Sequence, residues 1–187
     1  MSVPSLARVD GLTVQDYLQT PDGPPWYELV EGRLLLEPSP TSDHQSIIRE
    51  LVVALCFHLR RFPIGTLFFA PLDVYLDDSN VFQPDIAVIL HSHREIITPR
   101  GIRGAPDLVV EVLSPSNHRT DRGPKRLVYA RAGVRELWIV DPAARTIERF
   151  LLDRDPAEPA EIWRPGDTVT TALFPGFSVP TDEIFQR

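Results

Sequence analysis

The sequence has a single cysteine among its 187 residues, so no disulfide can form within the chain. We therefore expect a protein of a reducing compartment, the cytoplasm, and not a small secreted scaffold. No apolar run approaches the roughly 20 residues of a membrane-spanning helix, and the start of the chain lacks the basic and apolar regions of a signal peptide. Basic side chains are outnumbered: 19 Lys and Arg against 26 Asp and Glu give a net charge of −7. This balance disfavours a protein that binds nucleic acid by bulk charge alone.

What remains is the composition of an ordinary globular domain, with 43% apolar and 24% charged residues. The 19 prolines predict many short elements separated by turns. The length fits one domain over residues 1–187. We predict that residues 1–25 form a lead-in and that residues 153–187 form an extension that packs onto the domain. Its expected anchors are Phe174, Phe177 and Phe185.

Local patterns predict an α/β fold with a mixed central sheet flanked by helices. Short apolar segments on both sides of Glu31-Gly32 indicate a hairpin, and apolar spacing of three and four residues predicts a helix from about residue 43 to 61. Continuous apolar runs at 85–90 and 108–113 are typical of central strands that are covered on both faces. Pro124 opens a second helix, and Gly133 closes it.

Two carboxylates interrupt the predicted central strands. Glu111 lies between two valines and Val112-Leu113, so it is partly buried if the strand is central, and it then needs a cation, a metal or hydrogen bonds. The alternative is an edge strand or a structural ion pair. Asp85 begins its strand, where an acid is also common as a turn residue. Asp107 shares a strand face with Glu111; it either assists a site there or caps the strand, and we favour the cap.

Lys125 lies in the first turn of the second helix. Positions 125, 128, 129 and 132 share one helix face, and the face carries Val128 and Tyr129, which predicts that it packs inward. Lys125 would then lean toward the sheet, with Glu111 as a partner. Carboxylates on neighbouring strands can bind Mg²⁺, and a lysine beside them can orient water or stabilise developing charge. This is the chemistry of phosphodiester hydrolysis.

The order of these motifs resembles the Uma-two family of restriction-endonuclease-like proteins, within the PD-(D/E)xK nuclease superfamily. The resemblance extends over roughly residues 12–185. The matching stretches are Tyr27-Glu28-Leu29-Val30-Glu31-Gly32, Ser39-Pro40 with His44, Gln83-Pro84-Asp85-Ile86-Ala87-Val88, Ala105 to Ser116, Asp121 to Lys125, Tyr129 to Val134, and Trp138-Ile139-Val140-Asp141-Pro142.

The resemblance implies that Asp85 and Glu111 are the metal-binding acids and that the metal is Mg²⁺ or Mn²⁺. In the superfamily pattern a lysine stands two positions after the second acid, where this chain has Leu113. The resemblance implies that Lys125 takes over the role of this lysine. It also implies supporting roles for Glu28 and His44. From their places at the two ends of the same strand we count Asp107 and Ser114 as further supporting residues, with Ser114 as a strand-end hydrogen-bonding residue near the site.

We therefore expect a metal-dependent endonuclease that hydrolyses DNA, acts as a homodimer and has no membrane association. The basic stretch from Asn117 to Arg126 either contacts phosphates or is a solvated loop. The alternative function is a catalytically inert or partner-regulated module that binds nucleic acid or protein on the same fold; the net charge and Leu113 motivate it. A serine hydrolase that uses Ser114 is a third and weaker hypothesis, because no Gly-x-Ser-x-Gly elbow surrounds this serine.

Overall fold

The structure is a computed structural model, and it describes residues 10–21, 23–37, 39–114 and 121–186. Over these residues the chain forms short strands and few helices. The strands are, in chain order, β1 Tyr27–Val30, β2 Arg33–Leu36, β3 Gly65–Phe69, β4 Val74–Asp77, β5 Asn80–Phe82, β6 Ile86–Leu90, β7 Ile97–Thr98, β8 Gly101–Arg103, β9 Leu108–Val112, β10 Glu136–Asp141, β11 Thr146–Leu151, β12 Glu161–Trp163, β13 Thr168–Thr170 and β14 Ser178–Pro180.

The α-helices of this part of the chain are α1 Val14–Tyr17, α2 Ser42–Arg61, α3 Arg126–Ala132 and α4 Thr181–Ile184. A 3-10 helix covers His91–Ile96, and a π-helical turn, Asp121–Lys125, leads directly into α3. Gly133 ends α3 with a φ of 97°, a left-handed conformation that glycine adopts without steric cost.

The strands form two six-stranded sheets and one small two-stranded sheet. The first large sheet has the order β12-β11-β10-β9-β6-β3, and the second has the order β2-β1-β5-β4-β8-β7. In the first sheet β9 and β10 are parallel, whereas β9 and β6 are antiparallel. The sheet is therefore mixed. Because β6 and β9 are antiparallel, the start of β6 lies beside the end of β9.

The first sheet is covered on both faces. On one side α2 packs on residues of β6, β9 and β10, together with the C-terminal phenylalanines. On the other side α3 packs on β9 and β10 through Val128 and Tyr129. The alternate residues of β9 consequently face two different cores, which explains the continuous apolar run in the sequence.

The hairpin of β1 and β2 forms one end of the second large sheet. Its turn residues Glu31 and Gly32 have φ values of 48° and 74°, the pair of positive φ angles that a two-residue hairpin turn requires. Strand β1 also pairs with β5 through Leu29 and Val81. This pairing fixes the hairpin beside the segment that leads into β6.

The α/β architecture predicted from the sequence is confirmed, as are the hairpin, the long helix and the buried strands around residues 85–90 and 108–113. Two expectations were incomplete. The strands are divided between two large sheets, and Pro124 lies in the π-helical turn before α3 rather than in its first α-helical turn. Phe174, Phe177 and Phe185 are all buried, so they anchor the C-terminal segment as predicted.

None of the helices in the described residues combines the length and the apolar character needed to cross a membrane. The division of residues 1–187 into a lead-in, one domain and an extension remains a prediction.

Candidate active site

Asp85 and Glu111 lie opposite each other on neighbouring strands. Ile86 of β6 pairs with Val110 of β9 in antiparallel register; Asp85 precedes the first of these residues and Glu111 follows the second. Asp85 Oδ2 accepts a hydrogen bond from the backbone N–H of Val112 at 2.7 Å, which fixes its carboxylate against the end of β9. The sheet register therefore brings the two acids together.

Both acids line a cleft of about 230 Å³, which we call the acidic cleft. Five residues that the sequence predicted for the site line this cleft, and a further carboxylate, that of Glu37, lies in its wall together with neutral polar and apolar residues. The predicted site residues along this wall are His44, Asp85, Glu111, Ser114 and Lys125. Glu28 lies directly behind it, in contact with Lys125.

Glu111 is 3% exposed and Lys125 is 2% exposed. The ammonium Nζ of Lys125 lies 3.6 Å from Glu111 Oε1, and the hydroxyl of Tyr129 donates to the same oxygen at 2.7 Å. A buried carboxylate needs such partners because its desolvation is costly. The inward orientation that the helix face predicted for Lys125 is confirmed.

Glu28 makes the shorter ion pair with this lysine. Its Oε2 lies 2.6 Å from Lys125 Nζ, and its Oε1 accepts the backbone N–H of Gln83 at 2.7 Å. Glu28 is 1% exposed, so the pair is removed from water. The same ammonium lies 5.6 Å from the centre of the Phe82 ring, a distance at which a cation and an aromatic face attract. The hairpin strand β1 thus supplies a second carboxylate to the lysine, in addition to that of Glu111.

His44 reaches the cleft from the first turn of α2. Thr41 caps this helix by accepting the backbone N–H of His44 at 3.2 Å, which is the usual function of a threonine at an N-cap. The ring atom Nε2 lies 3.2 Å from Asp85 Oδ2. The histidine is therefore within hydrogen-bond distance of the carboxylate that also accepts the N–H of Val112.

Asp107 does not reach the acidic cleft. It lies before the other end of β9, roughly 13 Å along the strand from Glu111 at the usual rise per residue. Its Oδ2 accepts the backbone N–H of Leu90 at 2.8 Å, and its Oδ1 lies 2.9 Å from His93 Nδ1. These contacts agree with the capping role and not with a part in the cleft.

Ser114 lies at the wall of the cleft, directly after β9. The preceding residue, Leu113, is 5% exposed and belongs to the apolar cluster under α3. The basic stretch from Asn117 to Arg126 lies partly outside the described residues, because the structure does not describe residues 115–120.

Sequence reasoning missed two residues of this arrangement. The helix pattern predicts Tyr129 only as an inward-facing position, although its spacing of four residues from Lys125 places both on one helix face. Gln83 has no predicted function in its motif, yet its backbone holds Glu28 and the residue lines the cleft. For Tyr129 the signal was available in the sequence; for Gln83 only the pairing of β1 and β5 reveals the contact.

The chemistry of the donors fits Mg²⁺ or Mn²⁺. Among the described residues no group of three or more His, Cys, Asp or Glu is arranged to hold a metal ion. Mg²⁺ does not need one, because it is commonly bound by one or two carboxylates together with water and phosphate oxygens. Asp85 and Glu111 supply two hard oxygen donors in one cleft, which satisfies this requirement.

Comparison with known proteins agrees with this architecture. Residues 14–182 match the Uma2 family, whose description is "Putative restriction endonuclease", and the chain belongs to this family. Its fold is similar to a crystal structure described as "a putative nuclease belonging to DUF820" from Anabaena variabilis. The TM-score is 0.78 at 23% identity, over 93% of this chain and 97% of that one. No curated protein matches the chain. The family and the fold are thus those of nuclease-like proteins.

Proposed function

We propose that the protein is a metal-dependent endonuclease that hydrolyses phosphodiester bonds of DNA. The observation that carries the proposal is the juxtaposition of Asp85 and Glu111 on neighbouring strands beside the buried lysine Lys125. Membership of the Uma2 family supports it. Two acids that can hold a metal, beside a cation that can stabilise developing charge, suit metal-assisted phosphoryl chemistry.

In this proposal Asp85 and Glu111 hold Mg²⁺ or Mn²⁺. A bound metal supplies Lewis-acid stabilisation of the phosphate charge and activation of a water molecule. Asp85 is oriented by the N–H of Val112, so little reorganisation is needed when a ligand arrives. The hydroxyl of Tyr129 orients Glu111 in the same way.

Lys125 assists the hydrolysis through its ammonium, which lies 3.6 Å from Glu111 Oε1. A cation close to the scissile phosphate stabilises the negative charge that develops during attack. Glu28 acts as a positioning residue, because its carboxylate lies 2.6 Å from the ammonium and holds it beside the acids. His44 is placed to contact either Asp85 or a phosphate oxygen, and Ser114 borders the same cleft.

The first experiment is cleavage of supercoiled plasmid in Mg²⁺, Mn²⁺ or EDTA. We expect metal-dependent nicking by the wild type, which Asp85→Asn and Glu111→Gln reduce by at least about 100-fold, since each removes a charged metal ligand. Asp153→Asn is the control, because Asp153 is exposed and lies outside the cleft wall. Circular dichroism of each variant checks that the fold is retained.

Retained nicking in a folded Asp85→Asn variant would refute the assignment of the site. Absence of nicking by the wild type, together with no Mg²⁺ or Mn²⁺ binding in calorimetry, would favour the inert binding module instead. We also propose a homodimer, because a two-fold dimer is the commonest assembly of soluble oligomers and supplies two copies of the cleft; analytical ultracentrifugation tests this, and a monomer at assay concentration would contradict it.

A further inference from the structure

A second and larger cavity adjoins the acidic cleft. Its volume is about 500 Å³, within the range of sites that enclose small organic groups. Trp26 and Gln83 line both this cavity and the acidic cleft. A strand held at Asp85 and Glu111 therefore has a direct route into it. We call it the aromatic pocket; its principal residues are Tyr17, Trp26, Asp73, Tyr75, Gln83 and Arg100.

The floor of the aromatic pocket is built around Asp73. Its carboxylate accepts the hydroxyl of Tyr17 at 2.8 Å, the hydroxyl of Tyr75 at 2.9 Å and the side-chain amide of Gln83 at 2.8 Å. Burial and the carboxylate raise the pKa of Tyr75 to about 12 and that of Tyr17 further. Both hydroxyls consequently remain protonated donors at neutral pH, and the rings keep fixed positions, edge to face at 6.5 Å.

The rim of the pocket differs from its floor. Trp26 is 38% exposed, whereas Trp138 and Trp163 are 0% and 3% exposed, so Trp26 presents an accessible indole face immediately before β1. Arg100 also lines the pocket; it is exposed and lies in the turn before β8. An aromatic face suits the stacking of a base, and a guanidinium suits a phosphate.

We propose that the aromatic pocket binds an unpaired nucleobase of the DNA strand that is held at the acidic cleft, so that the protein prefers DNA with unpaired bases, as in a single strand or a locally unwound stretch of supercoiled plasmid, over an intact duplex. This inference rests on the proposed nuclease function and names its substrate class. A base in an intact duplex is stacked and paired, and it cannot enter a pocket without being extruded. Stacking on Trp26 and a phosphate contact from Arg100 would favour a strand whose bases are already free.

Binding can be measured without cleavage. Wild-type protein in EDTA is titrated into a fluorescein-labelled DNA of about 12 nucleotides, once as a single strand and once as the blunt duplex of the same sequence. We expect at least about tenfold tighter binding of the single strand. Intrinsic tryptophan fluorescence should be quenched by the single strand, because Trp26 is the exposed tryptophan.

Variants assign the effect to the pocket. Trp26→Ala should weaken single-strand binding about tenfold and remove the quenching, whereas Trp26→Phe keeps most of the affinity because it keeps an aromatic face. Phe57→Ala is the matched control, since Phe57 is 73% exposed and lies outside the pocket wall. Arg100→Ala should reduce both the affinity and its salt dependence.

Each outcome decides one proposal. Equal or tighter binding of the duplex, or the same affinity for Trp26→Ala and Phe57→Ala, overturns the pocket assignment even if plasmid cleavage is observed. A second outcome is that single-strand binding depends on Trp26 while neither the single strand nor the plasmid is cleaved in the presence of metal. This result supports the pocket and refutes hydrolysis. Single-strand binding together with metal-dependent cleavage supports both.

Discussion

Removal of the Lys125 ammonium tests the buried ion pair of the site. Lys125→Met keeps an unbranched side chain that is one heavy atom shorter, but it leaves Glu28, 1% exposed, without the cation that stood 2.6 Å away. Breaking a buried pair in this way costs about 3–5 kcal/mol, because the remaining charge stays desolvated. We therefore expect a loss of this size in the free energy of unfolding, measured by urea denaturation with circular dichroism.

The matched control lies in α3, the helix that directly follows Lys125. Arg131 contacts Glu31 at 3.0 Å, but the two side chains are 60% and 52% exposed, and an exposed pair contributes only about 0–1 kcal/mol. Arg131→Met should thus change stability little. The double variant Glu28→Gln with Lys125→Met should recover more than about 1 kcal/mol relative to Lys125→Met alone, because the unpaired carboxylate is gone. Equal effects of Lys125→Met and Arg131→Met would refute this reasoning.

Three further perturbations follow from the structure. Glu136→Ala removes a carboxylate that is 1% exposed and accepts the Trp138 indole N–H at 2.6 Å. We expect the free energy of unfolding to fall by about 3 kcal/mol, which lowers Tm by about 6–12 °C in a calorimetric scan. An unchanged Tm would contradict this expectation. Tyr129→Phe removes the 2.7 Å hydrogen bond to Glu111 and should reduce metal-dependent cleavage about tenfold while circular dichroism stays unchanged; full activity would show that the hydroxyl does not position the acid. The pKa of Tyr75 is raised from 10.0 to about 12 in the folded protein. Its contribution to the free energy of unfolding is therefore fully present below pH 10 and is lost as the pH rises toward 12, because in this range the Tyr75 hydroxyl ionises in the unfolded chain before it ionises in the folded one. Urea midpoints at pH 9 and 11 should show a smaller fall for Tyr75→Phe than for wild type, and an equal fall would contradict this origin.

The two acids could be found in the sequence because of their places in apolar runs: Glu111 interrupts β9, and Asp85 directly precedes β6. Glu111 is conspicuous between valines, and its burial follows once the strand is central. The long helix α2 was equally accessible, since its apolar spacing and the Thr41 cap agree with each other. In each case a local pattern contains the physical cause of the structure.

The rest of the arrangement depends on contacts between distant segments. The pairing of Glu28 with Lys125 joins the first hairpin to the start of α3, and nothing in either segment specifies the other. Strands such as β5 and β8 have three residues each, too few to establish a period of two. The division into two sheets is likewise a result of tertiary pairing rather than of local preference.

The position of the lysine illustrates how the same ammonium can be supplied from a different element. Leu113 occupies the place two residues after Glu111, and it is 5% exposed within the apolar cluster beneath α3. An ammonium there would lose its hydration among apolar side chains without the carboxylate of Glu28 to compensate. Lys125 approaches Glu111 from the turn before α3 instead, and Oε2 of Glu28 on β1 forms an ion pair with its ammonium at 2.6 Å. What the proposed chemistry requires is therefore a cation beside the second acid, and the hairpin and the helix provide it together where the strand does not.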